Sequence, residues 1–230
     1  MDTTPDVTVD EPTSGSVLGR PIRRLVSVAE LRSVIGEPTK AVCMKVTDSL
    51  NELTRAFVER SPFVCIATSG PAGECDVSPR GDPAGFVRIL DDRTLVIPDR
   101  PGNRLADTLR NIIANPQVGL LFVLPGITDT FRVNGRAWIT DDAELLAPSI
   151  HEEKIPRLGI VVEIEEAYTQ CSKAFIRSQL WDPSAFQDRA TLPTNGEILK
   201  VINAEVDPTF DAAVYDAERA TRYARREGFY

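Results

Sequence analysis

A single histidine, His151, serves all 230 residues, and that scarcity removes whole classes of chemistry. The four cysteines, Cys43, Cys65, Cys75 and Cys171, nowhere fall in CxxC spacing. With one imidazole and no clustered thiols, a zinc site of the usual composition cannot be assembled, and no metal is expected. A Ser-His-Asp triad would have to use His151, and no GxSxG turn presents a nucleophile. His151 itself stands in a polar His-Glu-Glu-Lys stretch and reads as a solvated residue. Neither GxGxxG nor the P-loop pattern occurs, so a Rossmann site and a Walker site are both unsupported. Adjacent acids (Asp91-Asp92, Glu152-Glu153, Glu165-Glu166) read as solvated turns rather than catalytic pairs. An enzyme so poor in catalytic side chains would borrow its chemistry from an organic cofactor.

Other absences bound partners and compartment. Lysine and arginine number 26 against 34 acids, a formal net charge of −8, and the basic residues are scattered. Nucleic acid is not an expected partner, because phosphate neutralisation supplies most of that affinity. No apolar run approaches the roughly 20 residues that span a bilayer, so no membrane association is expected. The opening MDTTPDVTVDEPTSGS lacks the charged-then-apolar build of a secretory signal. Free, mostly buried thiols in a reducing cytoplasm are the expectation.

What the chain does have is one organising stretch, from Leu95 to Phe122. The apolar run Leu95-Val96-Ile97 ends at Pro98. A basic loop, Asp99-Arg100-Pro101-Gly102-Asn103-Arg104, then turns into a predicted helix carrying Leu105, Leu109, Ile112 and Ile113. Asn115-Pro116 closes that helix, since the residue before proline is pushed out of the helical region. Val118 to Val123 follows as a buried strand. Strand, basic loop and helix in that order bring free N–H groups and guanidinium groups together as an anion seat.

Around it, residues 1–20 read as a disordered tail and 21–60 as N-terminal helices packing on the main domain. Ser27 and Glu30 form a capping-box pattern for the first helix. The second is predicted from Asp48, with Leu50, Leu53, Phe57 and Val58 toward the core. Residues 61–182 carry the strands: Phe63–Thr68 returning at Cys75–Ser78, Phe86–Leu90 with Thr94–Ile97, Val118–Val123, Thr130–Ile139 curved around Gly135, and Leu158–Ile164. Residues 183–230 form a helical extension. The fold class is mainly β with flanking helices (α+β), the strands closing an antiparallel barrel.

Val77-Ser78-Pro79-Arg80-Gly81-Asp82, Val96-Ile97-Pro98-Asp99, Gly102-Asn103-Arg104-Leu105, Ala114-Asn115-Pro116 and Val118–Phe122 occur in that order. In this order the chain resembles the pyridoxamine 5'-phosphate oxidase-like flavoprotein superfamily, the FMN-binding split β-barrel, over about residues 50–182. More narrowly it is similar to that superfamily's group of probable FMN-dependent enzymes of undefined substrate. The resemblance implies a homodimer with FMN in clefts between the two chains. It puts the flavin-holding strand on Ser78 to Pro83, the phosphate loop on Gly102-Asn103-Arg104, and a further flavin contact near Thr130. It also implies departures. The oxidase's lysine falls on Pro83 and its first arginine on Ser78. Its substrate-phosphate residues have no match in Leu145–Ile150, and its C-terminal tryptophan–arginine motif is missing. Vitamin B6 oxidation is therefore set aside.

These residues divide by role. Arg104 is either the FMN phosphate ligand, where its rigid donor fork suits a phosphate monoester, or an exposed arginine at a helix start. Asn103 is either that helix's cap or a phosphate donor. Arg80 contacts phosphate or flavin, or else pairs with Asp82, and Arg80 and Arg100 compensate for the basic residues that the resemblance places at Ser78 and Pro83. Ser78, Pro98 and Asp99 supply backbone contacts to the ring edge. Trp181 lines the far side of the cleft from the partner chain or plugs a helix end. Arg177, with Lys173, meets substrate or solvent, and Trp138 belongs to the core or the dimer interface. The expected function is an FMN-dependent oxidoreductase exchanging hydride with a small organic substrate. A non-catalytic flavin or small-ligand carrier, or an enzyme using deazaflavin or haem in the same cleft, is the alternative.

Overall fold

The computed structural model of the chain describes residues 14–17 and 20–230, and it divides into two units, Met1–Val46 and Thr47–Tyr230. In the first unit β1 (Ser14–Val17) pairs antiparallel with β2 (Arg20–Arg23). Two short helices follow, α1 (Val28–Ile35) and α2 (Lys40–Met44). Ser27 caps α1 as its sequence pattern predicts, its hydroxyl accepting from the Glu30 N–H at 3.2 Å. The Glu30 carboxylate answers to the Val26 N–H instead of the cap residue's own. Of the tail expected to be disordered, residues 1–13, 18 and 19 lie outside the described residues, while Ser14–Val17 lies in the hairpin.

The second unit is built on one antiparallel sheet. After α3 (Glu52–Arg60) come β3 (Phe63–Ser69), β4 (Cys75–Gly81), β5 (Arg88–Ile89) and β6 (Thr94–Asp99). Helix α4 (Asp107–Ala114) leads to β7 (Gln117–Val123) and β8 (Thr130–Thr140). Then follow α5 (Ala143–Leu146), β9 (Leu158–Gln170), α6 (Lys173–Ser178), α7 (Asn195–Ile202) and α8 (Ala212–Ala224). The strand order is β4-β3-β7-β8-β9-β6-β5.

Alternation sets the inner face. Val64 and Ile66 of β3, Leu120 and Phe122 of β7 and Phe131 and Val133 of β8 are all buried in one cluster. Phe57 of α3 stacks on Phe131 with ring centroids 5.6 Å apart. The unbroken run on β6 has a separate cause, since that strand is covered on both faces. Leu95 and Ile97 enter the main core, while Val96 packs with Leu146 and Val161 in a second cluster. Burial of each such aliphatic side chain is worth roughly 1.5–3 kcal/mol.

Several expectations are corrected. The barrel is not closed: β4 and β5 are the edges of an open sheet, each paired on one side only. Two-residue β5 offers too little ladder to close it, and Pro79 on β4 lacks the N–H a second neighbour would need. Strand β9 runs on to Gln170, beyond the expected end at Ile164, because a bulge at Asn134/Gly135 shifts its register and disguises the alternation. Gly135 is required there: a Cβ would meet the Glu163 carbonyl oxygen at 2.0 Å. The organising helix starts at Asp107, since Arg104 and Ala106 both hold positive φ. Leu105, ahead of the helix, is therefore exposed, as are Ile113 on the far face of α4 and Leu53 on the outer face of α3. Three of the four thiols are exposed and only Cys65, on β3 between two neighbouring strands, is half-buried.

Candidate functional site

Helix α4 is held over the β3–β4 hairpin by a polar row one helical face wide. The Thr108 hydroxyl donates to Asp76 at 3.1 Å, the Asn111 amide to the Thr68 hydroxyl at 3.1 Å and the Asn115 amide to the Ser69 hydroxyl at 3.0 Å. Positions 108, 111 and 115 share a face by helical spacing. Between β4, the end of β6 and the start of α4 lies a cavity of about 680 Å³. Its size is within the range of small-molecule and cofactor sites.

Two ion pairs form one wall. Arg80 of β4 donates to Asp99 of β6 at 2.8 Å, both side chains 19% exposed. This pair crosses the gap that the backbone ladder leaves open. Arg100 donates through Nε to Asp82 at 2.7 Å and through Nη2 to the Ser149 carbonyl at 2.9 Å. Arg100 is 16% and Asp82 2% exposed. The pairing of Arg80 with Asp82 weighed from sequence is thus corrected, because Asp82 is taken by Arg100. Burial pushes the Asp99 carboxyl above its ordinary value, and Arg80 only partly opposes that. Among the described residues the Arg80 Nε is buried without a partner, an orphan donor at the cavity wall.

The other side of the cavity is loose. Arg104 is exposed at φ 64° and Ala106 sits at φ 58°, a left-handed region disfavoured for residues with a Cβ. Asn103 caps a local turn: its side-chain oxygen accepts from the Leu105 N–H at 3.0 Å, ahead of the helix. The helix cap position is Ala106, which has no side chain to cap with.

A smaller cavity of about 170 Å³ shares Asp82, Phe86 and Arg100 with the larger one. His151 lines it and is not simply solvated, for its ring packs on Tyr230 with centroids 4.5 Å apart. The Tyr230 hydroxyl donates to Asp82 at 2.7 Å, and the Arg100 guanidinium lies 5.2 Å from its ring centroid. Burial, then the Asp82 bond, raises the Tyr230 phenol above its ordinary value.

Ser78, Arg80, Pro98, Asp99, Arg100, Asn103 and Arg104, all singled out in the sequence, line the larger cavity. Thr130 does not; it is buried at the start of β8. Arg177 and Trp181 also lie outside it, Trp181 donating its indole N–H to the Ile127 carbonyl at 2.9 Å. Trp138 is half-exposed on β8. Sequence reasoning missed Asp82 as a structural hub and Tyr230 altogether. Asp82 was signalled by its place in a loop between two glycines, Gly81 and Gly85, whereas nothing local marks Tyr230.

The family model described as pyridoxamine 5'-phosphate oxidase matches residues 50–171, more than half of the chain. Among solved structures the chain is similar to HupZ of Group A Streptococcus, at 16% identity over 52% of this chain and 93% of that one, TM-score 0.42. It is also similar to general stress protein 26 from Bacillus anthracis str. Sterne, at 16% identity over 51% and 91%, TM-score 0.40. An FMN-binding protein from Syntrophomonas wolfei subsp. wolfei gives 14% identity over 62% and 97%, TM-score 0.39. No curated protein matches.

Proposed function

This chain belongs to the pyridoxamine 5'-phosphate oxidase family, and from that premise we propose that it is an FMN-dependent oxidoreductase acting on a small organic substrate. The observation that carries the reading is the convergence on one 680 Å³ cavity of a buried Arg80 donor and an exposed Arg104 guanidinium, both without partners among the described residues. A buried donor without an acceptor costs stability unless a ligand satisfies it. When bound, FMN supplies hydride exchange at its ring, a chemistry that no side chain in this cavity supplies.

The chain's own residues bind, orient and shield. Arg104, with Asn103 beside it, holds the phosphate by charge-assisted hydrogen bonds. Ser78, Pro98 and Asp99 present backbone to the ring edge, Arg80 donates to a ring acceptor, and Arg100 stays in the wall with Asp82. Phe86 and Leu109 exclude water. The active form is a homodimer, and Arg177 and Trp181 reach the substrate side of the partner's cavity.

Protein purified from cells tests this reading directly. It is expected to be yellow, to release FMN identifiable by mass spectrometry, and to scatter light as about twice the 25.3 kDa chain. A colourless protein that takes up no added FMN defeats the proposal, and a monomer that binds FMN defeats its dimeric part.

A further inference from the structure

The two adjoining cavities differ in charge. Arginine and aspartate are the only charged residue types in the smaller wall: Arg88, Arg100 and Asp82, which leave one positive charge. The larger wall carries Arg80, Arg100 and Arg104 against Asp76, Asp82, Asp99 and Asp107, which leave one negative charge. Among the described residues Arg88 has no carboxylate partner, and its one hydrogen bond goes from Nη1 to the Leu145 carbonyl. A guanidinium has five N–H donors in a planar fork, so most of Arg88's capacity is unspent. The Ser149 hydroxyl in the same wall is buried and, among the described residues, also without a partner.

We propose that the smaller cavity is a subsite for a small monocarboxylate, held by Arg88, whose charge is the one left over once Arg100 is paired with Asp82, and opening beside the larger cavity at Phe86. Three features select that class. About 170 Å³ admits only a few heavy atoms. A single surplus positive charge balances a monoanion. The guanidinium fork matches a carboxylate with two parallel hydrogen bonds. The wall is also built before any ligand arrives. Tyr230 fixes Asp82 by its 2.7 Å hydrogen bond and His151 by ring contact, and Lys154 Nζ donates to the Tyr230 carbonyl at 2.8 Å. A preorganised pocket avoids the ordering cost that weakens small ligands. This deepens the proposed oxidoreductase reading by naming its substrate class, a short-chain carboxylic acid.

The lone histidine gives the test a clean reporter. In the untagged full chain the His151 ring yields one set of imidazole proton signals, and His151 lines this cavity. Pyruvate, its methyl ester and inorganic phosphate are titrated into flavin-free and FMN-loaded protein while those signals are followed. Pyruvate is expected to shift them saturably in both forms, with ester and phosphate at least tenfold weaker. Arg88→Gln, which keeps a donor for the Leu145 carbonyl, should weaken pyruvate tenfold or more and leave FMN affinity unchanged. Arg88→Lys should recover part of the loss, and an unaltered thermal transition in both variants certifies their fold. Absence of a pyruvate shift, equal binding of the ester, tighter binding of phosphate, or an unchanged constant in Arg88→Gln overturns the subsite. FMN affinity, read separately by flavin fluorescence, distinguishes the two proposals: pyruvate binding without FMN binding keeps the subsite and removes the flavin reading.

Discussion

Arg100 and Arg104 stand four residues apart in one loop and occupy opposite conditions. Arg100 is 16% exposed and bound to Asp82, to the Ser149 carbonyl and to the face of Tyr230. Arg104 is exposed, holds a left-handed backbone and has no partner among the described residues. The first has spent its charge on the fold, whereas the second has kept its charge for something outside it. A guanidinium already paired and buried adds little net attraction for an anion, since a ligand must compete with a 2.7 Å carboxylate contact. The difference assigns stability to one end of the loop and ligand capture to the other.

The largest expected effect breaks the tied end. Asp82→Asn leaves the Arg100 charge buried without its counter-charge, and breaking such a pair costs about 3–5 kcal/mol. For a chain of this length that lowers the melting temperature by on the order of ten degrees. Arg104→Ala, measured in the same denaturation series, should stay within about 0.5 kcal/mol of wild type, as surface substitutions do. Equal losses in the two variants would erase the distinction. The loose end answers to ligand instead. Arg104→Ala should weaken FMN by roughly ten- to 150-fold, the worth of a charge-assisted hydrogen bond at about 1.5–3 kcal/mol. Riboflavin, which has no phosphate, should lose almost nothing by calorimetry. If both flavins lose equally, Arg104 supports the ring or the fold, and the phosphate seat moves to Arg80 or Arg100.

That contrast was only half legible in the sequence. Local pattern carried β3 and β7 well because each is a short, nearly unbroken apolar run bounded by turn residues, although burial then alternates along it. The order of strand, basic loop and helix also brought Arg100 and Arg104 to one cavity. What could not be read was which arginine is spent. Asp82 and Asp99 choose their partners across 18 and 19 residues of chain, between the ends of two strands that share no ladder. The helix start was displaced for a related reason: Leu105 fits a helical stripe, but the left-handed Arg104 and Ala106 hold it outside the helix. Tyr230 contacts Asp82 over 148 residues, a separation at which no local signal exists.

Tyr230 offers a smaller sharpening of the same comparison. Tyr230→Phe keeps the ring on His151 and the guanidinium face but removes the phenol bond to Asp82. The cost should be about 0.5–1.5 kcal/mol, that of one hydrogen bond, because Asp82 retains Arg100. Denaturation midpoints check it, and the His151 imidazole signals should stay near their wild-type positions in Phe and move in Tyr230→Ala. A Tyr230→Phe loss as large as that of Asp82→Asn would make the phenol, rather than Arg100, the main support of the buried carboxylate.

The smallest effect concerns Asp99, where burial and an ion pair pull in opposite directions. Burial is the stronger, so the folded-state carboxyl titrates above its ordinary value even with Arg80 at 2.8 Å. The sign then follows from linkage. Between the ordinary carboxylate value and the raised folded one, the native state binds more proton than the unfolded chain. Stability contributed by this group is therefore fully present at low pH, declines as pH rises through that window, and is flat above it. Asp99→Asn, which keeps an oxygen for Arg80 and cannot titrate, removes that slope. The difference in unfolding free energy, wild type minus Asp99→Asn, should fall as pH is raised through the acidic range and then level off. A difference that rises over the same range would mean that Arg80 outweighs burial. The Arg80 wall would then be as tightly paired as that of Arg100, and its orphan Nε would lose its standing as a donor waiting for a ligand.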